Sequence, residues 1–179
     1  MLMLMADRIH LRLLEKADLK DRVSWFNNPD INQYLVSDFP VSYAKTEAWF
    51  QKTLFDNTKV NFSIICNKTN DLIGMTGLLQ IEQKNNTAQM YITIGNDLYR
   101  GMRLPDEIIP IVLNYAFSEL NLNKVYLWTI PSNDRGRKVY ERNGFVKEAE
   151  MLEHIYCRGK YQTLIQHRVL KSEFLKANS

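Results

Sequence analysis

The segment Arg8-Ile9-His10-Leu11-Arg12-Leu13 alternates polar and apolar side chains, the two-residue period of a half-buried strand. The spacing then lengthens. Leu19, Val23, Trp25 and Phe26 predict a helix starting near Asp18, and Asn27-Asn28-Pro29-Asp30 is a turn signal after it. Ser42 is a suitable N-cap for a second helix carrying Ala48, Trp49, Phe50 and Leu54. From Asn61 the short period returns. Asn61–Cys66 and Leu72–Ile81 read as strands around a hairpin turn, and Lys84–Thr87 is a second turn leading to a strand at Gln89–Gly95. A helix follows from Pro105 to about Leu120, with Pro110 removing one of its backbone hydrogen bonds. Lys124–Ile130 is a β-branched and aromatic run suited to a buried strand. Asn133–Asn143 predicts a short helix closed by Gly144, and Phe145–Val146 and Tyr161–Leu170 supply the last strands. This order predicts an α/β fold, a mixed sheet with helices on both faces.

Composition narrows the possibilities. The 179 residues suit one domain spanning 1–179, with no repeat, low-complexity tract or linker to divide it. Hydrophobic content of 45% and charged content of 24% are those of an ordinary globular protein. A net charge of +3, with Lys and Arg scattered among acids, argues against a nucleic-acid partner. Cys66 and Cys157 form no CxxC and fit a reducing compartment, and His10, His154 and His167 lack metal-ligand spacing, so no metal is expected. The Met-Leu-Met-Leu-Met start is too short for a signal peptide or a membrane span. A cytoplasmic protein without a membrane partner, monomeric or homodimeric, is the expectation.

Two segments carry candidate chemistry. Tyr99-Arg100-Gly101-Met102-Arg103-Leu104-Pro105-Asp106-Glu107 joins a strand to a helix start, where backbone N–H groups and the positive end of a helix dipole converge on a place suited to a pyrophosphate. Downstream, Asn133 is followed seven residues later by Tyr140, then Arg142 and Gly144-Phe145. In order and spacing these segments resemble the acyl-CoA site of the GNAT superfamily N-acetyltransferases, and the resemblance runs from about Arg8 to Lys171. It implies a mostly antiparallel mixed sheet flanked by helices, and acetyl-CoA as co-substrate. It also implies a pyrophosphate turn made by Arg100, Gly101, Met102, Arg103, Leu104 and Pro105. Asn133 would bond the CoA arm and Tyr140 would act as the acid that protonates the leaving thiolate. Arg142 or Lys138 would reach the 3′-phosphate. Ile92, Thr93 and Ile94 would offer backbone groups to the pantetheine arm.

The chain departs from the family pattern at two turn positions. Arg103 stands where the family has Gly, and Pro105 where it has Gly or Ala. Gly permits any φ and a close backbone approach, and Pro lacks an N–H. Either Arg103 replaces lost backbone donors with a guanidinium, or the cradle is impaired. The general base is open: relatives often have Glu in an Ala-Glu sequence that here reads Ala88-Gln89, with Glu82 as a possible substitute. Trp25–Ile31 and Tyr156-Cys157-Arg158-Gly159-Lys160-Tyr161 resemble stretches of the RimJ/RimL-like branch. The implied acceptor is a small-molecule primary amine: an amino sugar first, then a polyamine, then a protein N-terminus. A non-catalytic module that senses acyl-CoA is the rival reading.

Overall fold

The computed structural model describes residues 4–36 and 39–177, so Met1 to Met3 of the apolar start lie outside it. One sheet of seven strands organises the chain: β1 (Ile9–Leu13), β2 (Val60–Cys66), β3 (Leu72–Glu82), β4 (Thr87–Ile94), β5 (Lys124–Thr129), β6 (Val146–Cys157) and β7 (Lys160–Leu170), in the spatial order β1-β2-β3-β4-β5-β7-β6. The pair β4 and β5 is parallel and all other neighbours are antiparallel. The helices are α1 (Leu19–Asn27), α2 (Pro29–Asn32), α3 (Tyr43–Thr53), α4 (Pro105–Asn114), α5 (Asp134–Arg142) and α6 (Lys171–Ala177). No helix among the described residues is long and apolar enough to cross a membrane.

Two apolar clusters back the sheet. The larger joins Phe62, Ile64, Leu78, Met90 and Val125 of the strands to Ile108, Ile109, Val112 and Leu113 of α4. The smaller packs Leu19 and Trp25 of α1, Ile31 of α2 and Phe50 of α3 against Met75 of β3. Gly95 belongs to this second packing, because a Cβ there would fall 1.9 Å from the indole of Trp25. The entry to α1 is pinned by a buried carboxylate: Asp18 accepts two 2.7 Å bonds from Arg12 and one of 2.6 Å from Ser63. Burial alone would raise the pKa of Asp18, but these bonds together with the Glu15 N–H hold it below the usual value.

Several elements differ from the periodicity reading. The turn signal at Asn28–Asp30 is itself a helix start: the Asn28 side chain accepts from the Asp30 N–H, and Pro29 opens α2. The helix expected to reach Leu120 is α-helical only to Asn114 and then widens, with the Leu120 N–H bonding the Tyr115 carbonyl at 3.2 Å. The widened turn holds both Ala116 and Phe117 in the core. Strand β6 is far longer than Phe145–Val146. It is an edge strand with mostly exposed side chains, so no apolar face announced it. Helix α6 was not legible in the periodicity; its Phe174 packs on Phe117 at 5.4 Å between ring centroids.

Candidate active site

The parallel pair at the centre of the sheet is brief. β4 and β5 are in register only at Thr87 with Lys124, Ala88 with Val125 and Gln89 with Tyr126. Beyond Gln89 the strands part: β4 continues to Ile94 beside β3, and β5 continues to Thr129 beside β7. Gly95 bonds back to β3 through the Ile73 carbonyl. Strand alternation therefore turns the backbone groups of Thr93 toward β3, and those of Ile92 and Ile94 into the gap. A cleft of about 480 Å³ occupies this opening, with Ile92, Thr93 and Ile94 on one side and Asn133, Gly136, Val139 and Tyr140 of the α5 region on the other.

The Tyr99–Leu104 turn forms one end of the cleft. Gly101 has φ 82° and Arg103 has φ 58°, so Arg103 adopts the left-handed conformation that the absent glycine would supply. For a residue with a Cβ this costs about 1–2 kcal/mol. The turn shape therefore survives without glycine. Among the described residues, the N–H groups of Gly101, Met102, Arg103 and Leu104 donate to no protein acceptor, whereas those of Asp106 and Glu107 bond the carbonyls of Arg103 and Leu104. Arg8 braces the turn from β1's approach, donating to the Met102 carbonyl at 2.9 Å and pairing with Glu107.

The cations of the cleft divide into two groups. Arg103 and Arg142 both engage Asp106, at 3.2 Å and 2.9 Å, and Asn143 donates to the same carboxylate at 2.9 Å. Arg142 is thus a clamp between α5 and α4. Arg100 lines the cleft and pairs with Asp97 at 2.8 Å. Arg135 and Lys138 line the cleft and have no ion-pair partner among the described residues. Of the sequence-derived site residues, Met102 and Leu104 do not line the cleft. Leu104 is a core residue, 3% exposed.

Helix α5 sets the last two groups. Asn133 is its N-cap, accepting from the Gly136 N–H at 2.9 Å, which leaves its Nδ2 uncommitted. A Cβ on Gly136 would come within 2.5 Å of that nitrogen. At the other end, Gly144 (φ 86°) closes a Schellman motif: Phe145 N–H bonds the Tyr140 carbonyl at 3.0 Å, and Gly144 N–H bonds the Glu141 carbonyl at 3.1 Å. The Tyr140 ring meets buried Phe145 edge-on at 5.9 Å, and its hydroxyl has no hydrogen-bond partner among the described residues. Burial pushes the Tyr140 pKa up to about 12.

Sequence reasoning missed Asp30, Tyr34 and Leu35 as cleft residues, and Arg135 and Gly136 beside them. Gly136 had a signal, a glycine three residues after a capping asparagine. Asp30 is the single carboxylate lining the cleft among the described residues. The proposed substitute base Glu82 is misplaced for the role. It pairs with Thr87 at the opposite end of β4 and accepts from Asn85. Gln89 does not line the cleft either.

An acetyltransferase (GNAT) domain profile matches residues 8–146. The chain belongs to the GNAT acetyltransferase family. Its sheet with one short parallel pair is the GNAT architecture, and the enzyme class is acyl-CoA N-acyltransferase. Among similar proteins, spermidine N(1)-acetyltransferase of Vibrio cholerae is 29% identical over 171 residues, covering 96% of this chain and 98% of its own. The crystal structure of spermidine N-acetyltransferase from Vibrio cholerae in complex with CoA and spermine superposes with a TM-score of 0.87 at 30% identity, covering 94% of this GNAT chain and 98% of that one. A dodecameric structure of that organism's enzyme gives 0.81 at 27% identity, covering 96% and 99%.

Proposed function

We propose that this GNAT enzyme transfers an acetyl group from acetyl-CoA directly to a primary amine of a polyamine. The observation that carries the reading is the opening between β4 and β5, where the Tyr140 hydroxyl lies without a protein partner. The polyamine replaces the amino sugar ranked first on sequence, because spermidine acetyltransferases resemble this chain over nearly its whole length. Asp30 supports it as an anionic group for a cationic acceptor.

Acetyl-CoA supplies an activated acetyl thioester; the chain does the rest. The uncommitted N–H groups of Gly101 to Leu104, with Arg100, Arg135 and Lys138, hold the pyrophosphate and neighbouring phosphate. Ile92 and Ile94 offer backbone groups to the pantetheine arm, and Asn133 Nδ2 donates to it. The acceptor amine, once neutral, attacks the acetyl carbon; the C–N bond forms as the C–S bond breaks. Tyr140 donates to the departing sulfur, and the proton shed by the amine restores the balance through solvent. Pro105 removes no donor from this scheme, since the N–H groups that matter precede it. Arg142 acts here as the clamp on Asp106 rather than as a phosphate ligand.

The RimJ/RimL-like placement, the single domain spanning 1–179 and the cytoplasmic location remain part of this reading. For assembly, the dodecamer solved for the similar enzyme supports an oligomer larger than the monomer or homodimer expected from sequence. The test is an acceptor screen with acetyl-CoA, comparing spermidine, glucosamine and an N-terminal peptide. Spermidine is expected to give the highest kcat/KM. Preference for another acceptor, or no turnover with spermidine, rejects the polyamine reading.

A further inference from the structure

Arg158 occupies a backbone position that does not suit it. β6 and β7 are joined by the two-residue turn Arg158-Gly159, in which φ is 53° and 77°. Turns of this shape favour Asn, Asp or Gly at the first position, because a left-handed residue crowds its Cβ against the following carbonyl. The hairpin gains nothing from an arginine there. The long side chain instead leaves the hairpin and reaches α2, more than a hundred residues away in sequence. Its Nη2 donates to the main-chain carbonyl and the side-chain oxygen of Asn32, and to the Leu35 carbonyl at 3.2 Å. Its Nη1 lies 3.5 Å from the Gln33 carbonyl.

The Asn32 carbonyl also accepts from the Leu35 N–H at 2.9 Å, whereas the Gln33 and Leu35 carbonyls, in the turn after this four-residue helix, accept from no backbone N–H among the described residues. A guanidinium satisfies several at once and suits the negative end of the helix dipole. The segment it ties down carries Asp30, Ile31, Tyr34 and Leu35, the part of the cleft wall furthest in sequence from the CoA-facing turn.

We propose that Arg158 is a positioning residue for the amine acceptor, fixing the Asn32–Leu35 segment so that Asp30 and Tyr34 face the cleft. The identity of the acceptor rests on the polyamine reading above; the tie itself does not. Arg158→Asn suits the turn and removes the guanidinium, so the variant keeps its fold while losing the tie. Arg158→Lys keeps the charge but replaces a planar fork with a point donor.

Steady-state kinetics with spermidine and acetyl-CoA are paired with amide hydrogen exchange. In Arg158→Asn the spermidine KM is expected to rise tenfold or more, the acetyl-CoA KM to stay within twofold, and the amides of residues 32–35 to exchange faster. Arg158→Lys is expected to fall between the variant and the native protein. Unchanged exchange at 32–35 overturns the proposal, as does a KM increase shared equally by both substrates. If the native enzyme acetylates no polyamine, only the acceptor assignment falls. The exchange comparison and the KM of whichever amine is accepted then decide the role of Arg158.

Discussion

Tyr140 keeps its proton well past neutral pH, since burial pushes its pKa up to about 12. A leaving thiolate has an ordinary basicity near 8.5, roughly 3.5 units lower, so complete ground-state transfer would cost about 5 kcal/mol. In the proposed mechanism the phenol would therefore act by a hydrogen bond that strengthens as charge gathers on sulfur. Tyr140→Phe is expected to lower kcat by about 10²–10⁴-fold while the acetyl-CoA Kd, measured by calorimetry, changes less than about threefold. Equal turnover of both forms would discard the acid role. A raised pKa means the donor form persists as pH rises, so the kcat profile should climb as the amine deprotonates and show no descending limb below about pH 11. A descending limb near pH 9 would assign the acid elsewhere. The arginines of the turn separate in the same titration: Arg100→Ala should weaken acetyl-CoA binding tenfold or more, a loss of about 1.4 kcal/mol or greater. Arg103→Ala should leave it within about threefold, because the Arg103 guanidinium is held by Asp106. The reverse order would restore Arg103 as the phosphate ligand.

Two carboxylates decide how whole elements sit. Asp106 gathers Arg103, Arg142 and Asn143, and so fixes α5 against the start of α4. Asp18 gathers Arg12 and Ser63 and fixes α1 against β1 and β2. Removing Asp18 as Ala takes the acceptor from the buried Ser63 hydroxyl and from the partly exposed Arg12, and should cost about 1–3 kcal/mol in denaturant unfolding. A loss under about 1 kcal/mol would show that the pair contributes little. Its folded pKa lies below the ordinary value, so this stability is present above pH 4 and is lost as pH falls through the folded value. Neither cluster was legible in sequence, since Arg12 and Ser63 lie fifty-one residues apart and no local pattern joins them to Asp18. The elements around them were. Strands with one buried face, such as β1, and helices with a capping side chain, such as α3 at Ser42, announce themselves in a short window. β6 presents mostly exposed side chains along the sheet edge, and α2 hides behind turn residues that serve equally as its cap. At the site, Tyr140 and Asn133 were readable because their order and spacing resemble the family pattern, and both line the cleft. Asp30 and Tyr34 were not, because a fold-long path brings them to the cleft.

The sheet divides near its middle, where the β4–β5 ladder has three residue pairs between β1–β4 on one side and β5–β7 on the other. A ligand that enters the gap binds both halves at once. Acetyl-CoA at a hundredfold excess over its Kd should add about 2.7 kcal/mol to unfolding. For a domain of this size that is a rise of roughly 5–10 °C in Tm. No rise at that concentration would mean that acetyl-CoA does not bind the folded protein.

The narrow join between β4 and β5 has a consequence for the protein's lifetime. Proteases cut chains that open, and a co-substrate bound in the cleft would oppose any opening that separates its walls. The rate at which this enzyme is degraded should then follow the supply of acetyl groups: well-fed cells would preserve it and starved cells would clear it. Limited proteolysis across a range of acetyl-CoA concentrations would show protection growing in step with occupancy, and a cleavage rate indifferent to the ligand would break that link.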